Sequence, residues 1–201
     1  MRISALMIPD PITITEDASI QDAIELMKIN SIRHLPVVAP GMVLKGFVTL
    51  ADLKQGLIPS MVGNLTLPDL MIRNPITVNP DDEIEVAAQK FYKHKIGGMP
   101  VVKEEKLVGI ITETDILRAF IDMMGILNAS SRIDVVIGNT PGSFQHALQT
   151  IHDAGGEIIS IGMTARQANR RIYFFRLSPC KSRRIKEALE AEGFEVTDAM
   201  D

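Results

Sequence analysis

The sequence predicts a mixed α/β chain in which two copies of a strand–helix–strand–strand–helix unit precede a smaller domain of order βαββαβ. Three observations carry this. Residues 6–14 recur as residues 70–78, an offset of 64 that goes on to pair one landmark after another. Within each copy, apolar residues switch between the spacing of a strand and that of a helix. After residue 130 the repeat is over and a new alternation of strand and helix begins.

The repeat comes first because internal self-similarity decides the architecture. Leu6-Met7-Ile8-Pro9-Asp10-Pro11-Ile12-Thr13-Ile14 matches Leu70-Met71-Ile72-Arg73-Asn74-Pro75-Ile76-Thr77-Val78. The same offset pairs Asp17 with Asp81, Ile20 with Ile84, Ala23 with Ala87 and Met27 with Phe91. It also pairs Leu35-Pro36-Val37-Val38 with Met99-Pro100-Val101-Val102. One residue is lost in the following turn, and Gly46-Phe47-Val48-Thr49-Leu50-Ala51-Asp52 then matches Gly109-Ile110-Ile111-Thr112-Glu113-Thr114-Asp115. Residues 12–14 and 76–78 read as short β-branched strands after a proline. Ser19 reads as an N-cap with Asp22 at the third helical position, and Ile20, Ala23, Ile24 and Met27 share a face. Ile84, Ala87, Ala88 and Phe91 reproduce that face. Residues 36–38 and 47–48 form a hairpin around Ala39-Pro40-Gly41. Residues 100–102 and 107–111 form another, and closing helices begin at Thr49 and Thr112. A unit of about 60 residues is too small to cover both faces of its sheet, so the two copies should pack together.

In the last seventy residues, Arg132 to Ile137 is a strand and Gly138 to Gly142 a turn. Phe144, Leu148 and Ile151 mark a helix ending near Gly155-Gly156. Glu157 to Met163 and Arg171 to Leu177 are strands joined by residues 164–170. Ser178 reads as the cap of a helix with Pro179 at its first position and Gly193 at its end. Phe194 to Thr197 is the last strand. The order is that of the ferredoxin-like split βαβ.

Composition narrows the function. The chain is 46% hydrophobic and 23% charged with a net charge of −4, which argues against general nucleic-acid binding. Between 131 and 201 nine Lys/Arg face nine Asp/Glu, so Arg170, Arg171, Arg176, Lys181, Arg183, Arg184 and Lys186 read as a solvated mixed-charge surface. The most apolar helical stretch, Ile116 to Leu127, is broken by Arg118 and Asp122, so no membrane span is expected. Pro9 and Asp10 interrupt the N-terminus before a secretory apolar core develops, and Cys180 has no cysteine to pair with; both point to the cytoplasm. No metal-ligand cluster, Walker run or Gly-x-Gly-x-x-Gly occurs, and no Cys-His signature surrounds Cys180. No enzyme active site is expected, and no cofactor is obligatory.

Pro-x-Thr, a helix, Leu-Pro-Val-Val, then Gly, two apolar residues and Thr-x-x-Asp, twice in order, resembles the CBS domain over residues 1–125. Two tandem copies resemble a Bateman module, with domains at 1–63 and 64–127. The resemblance implies clefts that hold adenosine-containing ligands of the AMP, ADP, ATP, S-adenosylmethionine or NAD type, read rather than consumed. Taken as residues, Thr49-x-x-Asp52 and Thr112-x-x-Asp115 are helix capping boxes. The resemblance adds that Asp52 and Asp115 accept from ribose hydroxyls, and the two readings coexist. Arg33 and His34 stand where related domains hold phosphate, although a solvated loop would also place them there. Arg can grip phosphate oxygens bidentately. The second copy has Gly97-Gly98 instead, so the two clefts should differ. Ile12, Val37, Ile76, Ile96 and Met99 would either sandwich a base or serve as core. Thr13, Pro36, Thr77 and Pro100 complete the positions that the resemblance assigns to ligand binding.

Asn139-Thr140-Pro141-Gly142, with the strand after Gly156, resembles the ACT domain over 131–201. That resemblance implies side-by-side pairing into a homodimer and a loop near Pro141-Gly142 that can hold an amino acid. Asn139 replaces a frequent Asp there, which favours dimerisation over amino-acid binding. The whole combination is similar to the acetoin-utilisation regulators of carbon metabolism. The expectation is a non-catalytic sensor that signals to a protein partner, with a ligand-free interaction module as the alternative.

Overall fold

The computed structural model describes residues 1–55, 65–167 and 170–201, and the chain divides after Leu117 into two compact units. The repeat boundary expected at residue 63 and the loop residues 168–169 lie outside the described residues.

In the first unit, one repeat supplies β1 (Ile8–Pro9), α1 (Ile20–Ile29), β2 (His34–Ala39), β3 (Val43–Thr49) and α2 (Leu50–Gln55). The other supplies α3 (Leu67–Leu70), α4 (Ile84–His94), β4 (Gly98–Lys103), β5 (Lys106–Thr112) and α5 (Glu113–Met123), the last running on past the division. Helix α1 starts at the expected capping box. The Asp22 N–H donates to Ser19 Oγ at 3.0 Å, and the Ser19 N–H donates back to the Asp22 carboxylate at 3.1 Å. Ile20, Ala23 and Met27 are buried below it, as Ile84, Ala87 and Phe91 are below α4. The strands expected at 12–14 and 76–78 shrink to single bridges, Ile14 beside Val37 and Val78 beside Val101. Ile14 donates to the Pro36 carbonyl and accepts from Val38, and Val78 repeats this with Pro100 and Val102. Pro36 and Pro100 have no N–H to donate to Ile12 and Ile76, which would be the next rung of each ladder.

The repeats interlock. Ile8 and Pro9 pair with Ile110 and Gly109 of β5, while Ile72 and Phe47 exchange hydrogen bonds of 2.9 and 3.0 Å. Each repeat thus lends its leading segment to the last strand of the other. The crossing needs glycine: a Cβ at Gly46 would lie 2.5 Å from Met71 Sδ, and one at Gly109 2.7 Å from Met7 Sδ. With the contact of Val43 to Lys106, the strands form one sheet of order β1-β5-β3-β2 with β4 beside β5. Met27, Leu35, Val37, Val48, Leu53 and Leu67 are the fully buried centre of one core beneath it.

The second unit contains β6 (Ser131–Ile137), α6 (Ser143–Asp153), β7 (Ile158–Gln167), β8 (Arg170–Leu177), α7 (Ser182–Ala191) and β9 (Glu195–Met200). Its sheet is antiparallel, in the order β7-β8-β6-β9 of a split βαβ domain. Phe175, Leu177, Ile133, Ile151, Ile185 and Leu189 fill the space between sheet and helices. Helix α7 starts at Ser182 rather than directly after Ser178. The Ser178 hydroxyl donates to Glu157, the Cys180 N–H donates to Ser131 Oγ at 2.9 Å, and the Ser182 N–H donates to Asp201 Oδ1 at 2.7 Å. Those donors tie residues 178–180 to the strands instead of opening a helix. Gly193, at φ +83°, follows α7 as expected. The buried Asp134 carboxylate is paired with Arg132, whose guanidinium lies 5.1 Å from the centre of the Phe174 ring.

Candidate functional site

The crossed leading segments open a cleft of about 270 Å³ in the first unit. It is bounded by the stretch from Ile8 to Ile12, by Ser31–His34 leading into β2, and by Ile110, Thr112 and Thr114 of the other repeat. Strand periodicity places Ile110 and Thr112 on one face of β5. Ile8 and Ile12 keep 51% and 37% of their surface exposed, an apolar area within a concave site that suits a flat ligand.

Polar chemistry enters from both sides of the cleft. The Thr112 N–H and Oγ1–H donate to Asp115 Oδ2 at 2.8 and 2.6 Å, and the Asp115 N–H donates to Thr112 Oγ1 at 3.4 Å. The mirror box repeats this geometry, with Thr49 donating to Asp52 Oδ2 at 3.0 and 2.7 Å. Both bonds to each carboxylate land on Oδ2, so Oδ1 keeps its lone pairs for a further donor. The capping role is therefore realised in both boxes and does not exhaust either carboxylate. Arg33 is exposed at the cleft and makes no ion pair among the described residues.

His34 is half-buried and stacks on Phe47, ring centroids 5.8 Å apart and planes at 16°. Burial pushes its pKa below the ordinary histidine value and the adjacent Arg33 adds to this, while Glu113 and Asp52 pull the other way. Its ring covers the backbone of Gly97 and Gly98: a Cβ at Gly98 would lie 2.9 Å from the imidazole Cγ.

Of the residues singled out in sequence, Arg33, His34, Thr112 and Ile12 line this cleft, and Asp115 is bonded to Thr112. Thr13 is half-buried between Ile12 and the bridge at Ile14. Thr49 and Asp52 form the mirror box. Ile76, Thr77 and Ile96 are half-buried at the repeat counterparts of Ile12, Thr13 and Ile32, and the Thr77 carbonyl accepts from Lys90 Nζ at 2.7 Å. Val37 and Met99 are fully buried core residues, and Pro36 and Pro100 are buried in their hairpins. Asn139, Thr140, Pro141 and Gly142 form an exposed turn before α6, in the other unit. Sequence reasoning missed Ile8, Asp10, Pro11, Ser31, Ile32, Ile110 and Thr114. The spacing of two from Thr112 could have found Ile110, whereas Ile8 and Asp10 enter only through the crossing of segments, which no local pattern announces.

The CBS domain model matches residues 3–58 and 67–122, more than half of the chain. A homoserine O-acetyltransferase of Methanosalsum zhilinae is 36% identical over 117 residues, 58% of this chain but 23% of that protein. This chain thus spans about a quarter of such relatives. Three solved structures share the fold of the repeat pair. The CBS domain pair of protein MJ0100, in complex with 5′-methylthioadenosine and S-adenosyl-L-methionine, is 32% identical, with a TM-score of 0.56 over 60% of this chain and 99% of that one. A Vibrio cholerae protein described as an acetoin utilization protein (AcuB) is 31% identical, with a TM-score of 0.56 over 63% and 94% of the two chains. CBSX2 in complex with AMP is 29% identical, with a TM-score of 0.54 over 60% and 96%. Among the described residues no helix is long and apolar enough to cross a membrane.

Proposed function

The chain belongs to the CBS-domain family, and from that premise we propose that it is a regulatory module whose cleft binds an adenosine-containing ligand and whose second unit pairs two copies and presents the signal to a partner. One observation carries the reading: a single concave site combines the exposed isoleucines of one repeat, the cation of Arg33, and Thr112 of the other repeat, which is bonded to Asp115. A base would lie on Ile8 and Ile12. The ribose hydroxyls would donate to Asp115 Oδ1, and Arg33 would meet a phosphate or carboxylate. Because the cleft is built from both repeats, a ligand in it bridges them, which is how occupancy would be passed on. The liganded forms of MJ0100 and CBSX2 support the class of ligand. The likeness to AcuB supports a role in acetoin or carbon metabolism, and the βαββαβ unit after the repeats supports an ACT-type dimerising domain.

A thermal-melting screen of the full chain with AMP, ADP, ATP, S-adenosylmethionine and NADH tests this reading. A ligand at about 100 times its Kd adds roughly 2.7 kcal/mol of stability. A flat response to all five would leave the repeats as an interaction module and overturn the sensor reading.

A further inference from the structure

The repeat offset assigns every residue of the cleft a counterpart, and the counterparts define a second position related by pseudo-symmetry. Phe47 answers to Ile110, Thr49 to Thr112, Ile76 to Ile12 and Gly97 to Arg33. The pattern is broken at His34, whose own counterpart is Gly98. The imidazole stacks on Phe47 in near-parallel planes, as a ligand's ring would on that surface, and it rests on the Gly97–Gly98 backbone.

We infer that His34 is a built-in plug that fills the second, pseudo-symmetric cleft, so that the chain takes one adenosine-type ligand per repeat pair. This rests on the reading of the first cleft given above and adds to it the number of sites. Three features fit together. Gly98 has no side chain, and none could be accommodated with the ring at 2.9 Å from a Cβ. Gly97 is equally bare, its nearest side-chain atoms being His34 Nε2 at 3.3 Å and Glu113 Oε2 at 3.6 Å from a Cβ position. Burial lowers the pKa of the ring, which favours the neutral form, the one whose burial against Phe47 costs least. The first cleft has the opposite equipment: Arg33 where the plugged side has Gly97, and a smaller aliphatic Ile110 where it has Phe47.

Isothermal titration of the intact chain with AMP and with S-adenosylmethionine tests this by counting sites. Wild type should bind one molecule per chain. His34 also lines the first cleft, so the mark of the plug is a second site that appears in His34→Gly and is lost again in His34→Gly/Asp52→Ala, whatever the change in first-site affinity. Two sites in the wild type overturn the plug while leaving the cleft reading intact, and that result needs no variant to fold. One site in both proteins, with His34→Gly showing the wild-type circular dichroism spectrum, also overturns it. Should His34→Gly fail to fold, His34→Ala serves the same count. No binding by any of the three overturns the reading beneath it, and the plug falls with that reading.

Discussion

Arg33 and Thr112 belong to different repeats, yet they line the same cleft. The cation of one copy is therefore placed in one cleft with Thr112 of the other, because each repeat lends its leading segment to its partner's last strand. The repeat supplies the parts twice, and the crossing decides which parts meet.

Substituting Arg33 separates charge from shape. The side chain is exposed, so Arg33→Ala should leave the melting temperature of the unliganded protein unchanged. Its loss should weaken AMP by about ten- to a hundredfold, the worth of a charge-assisted hydrogen bond, and adenosine far less. Titration with the pair of ligands checks it, and equal losses for both would remove Arg33 from phosphate recognition.

The two capping boxes should respond alike as structure and differently as sites. Asp52→Ala and Asp115→Ala each lose the hydrogen bonds that close a helix start, a cost on the order of 1 kcal/mol. Only Asp115→Ala should also abolish the ligand-induced rise in melting temperature. Equal losses of that rise would contradict the asymmetry between the clefts.

Much of this was legible in sequence, and the limits have physical causes. Residue types in register gave the repeat, the hairpins, the caps at Ser19, Thr49 and Thr112, and the order of the second unit, since each follows from local periodicity or a local hydrogen bond. The first-strand segments came out as bridges because pairing at Ile14 stops where Pro36 has no N–H to donate to Ile12. The start of α7 shifted because Ser131 and Asp201, remote in sequence, capture the N–H groups of Cys180 and Ser182. Likewise Val37 and Met99 are core because β2 and β4 bury residues on both of their faces, which a strand's alternation does not announce.

The fit between His34 and Gly98 is a steric claim that a double-mutant cycle can weigh. Gly98→Ala pushes a methyl group into the imidazole and should cost about 1–3 kcal/mol. In a His34→Gly background the same substitution should cost much less, giving a coupling of roughly 1 kcal/mol or more. Additive effects in denaturant unfolding would show that the ring is not what Gly98 accommodates.

His34 also sets a pH dependence. Its folded pKa lies below its unfolded one, so as pH falls through about 6.5 the unfolded chain takes up a proton before the folded one does. The contribution of the neutral ring is complete above that pH and is lost as pH falls toward the folded pKa. Melting temperatures recorded from about pH 8 down to 5.5 should decline through this window, and His34→Gln should flatten the decline. Identical curves would place the titration elsewhere.

The most direct test of the whole account is a crystal structure of the intact chain grown with AMP. The account predicts the nucleotide between Ile12 and Ile110, with its ribose hydroxyls on Asp115 and its phosphate at Arg33. Nucleotide bound at the Thr49–Asp52 box instead, or in neither cleft at saturating concentration, would contradict it.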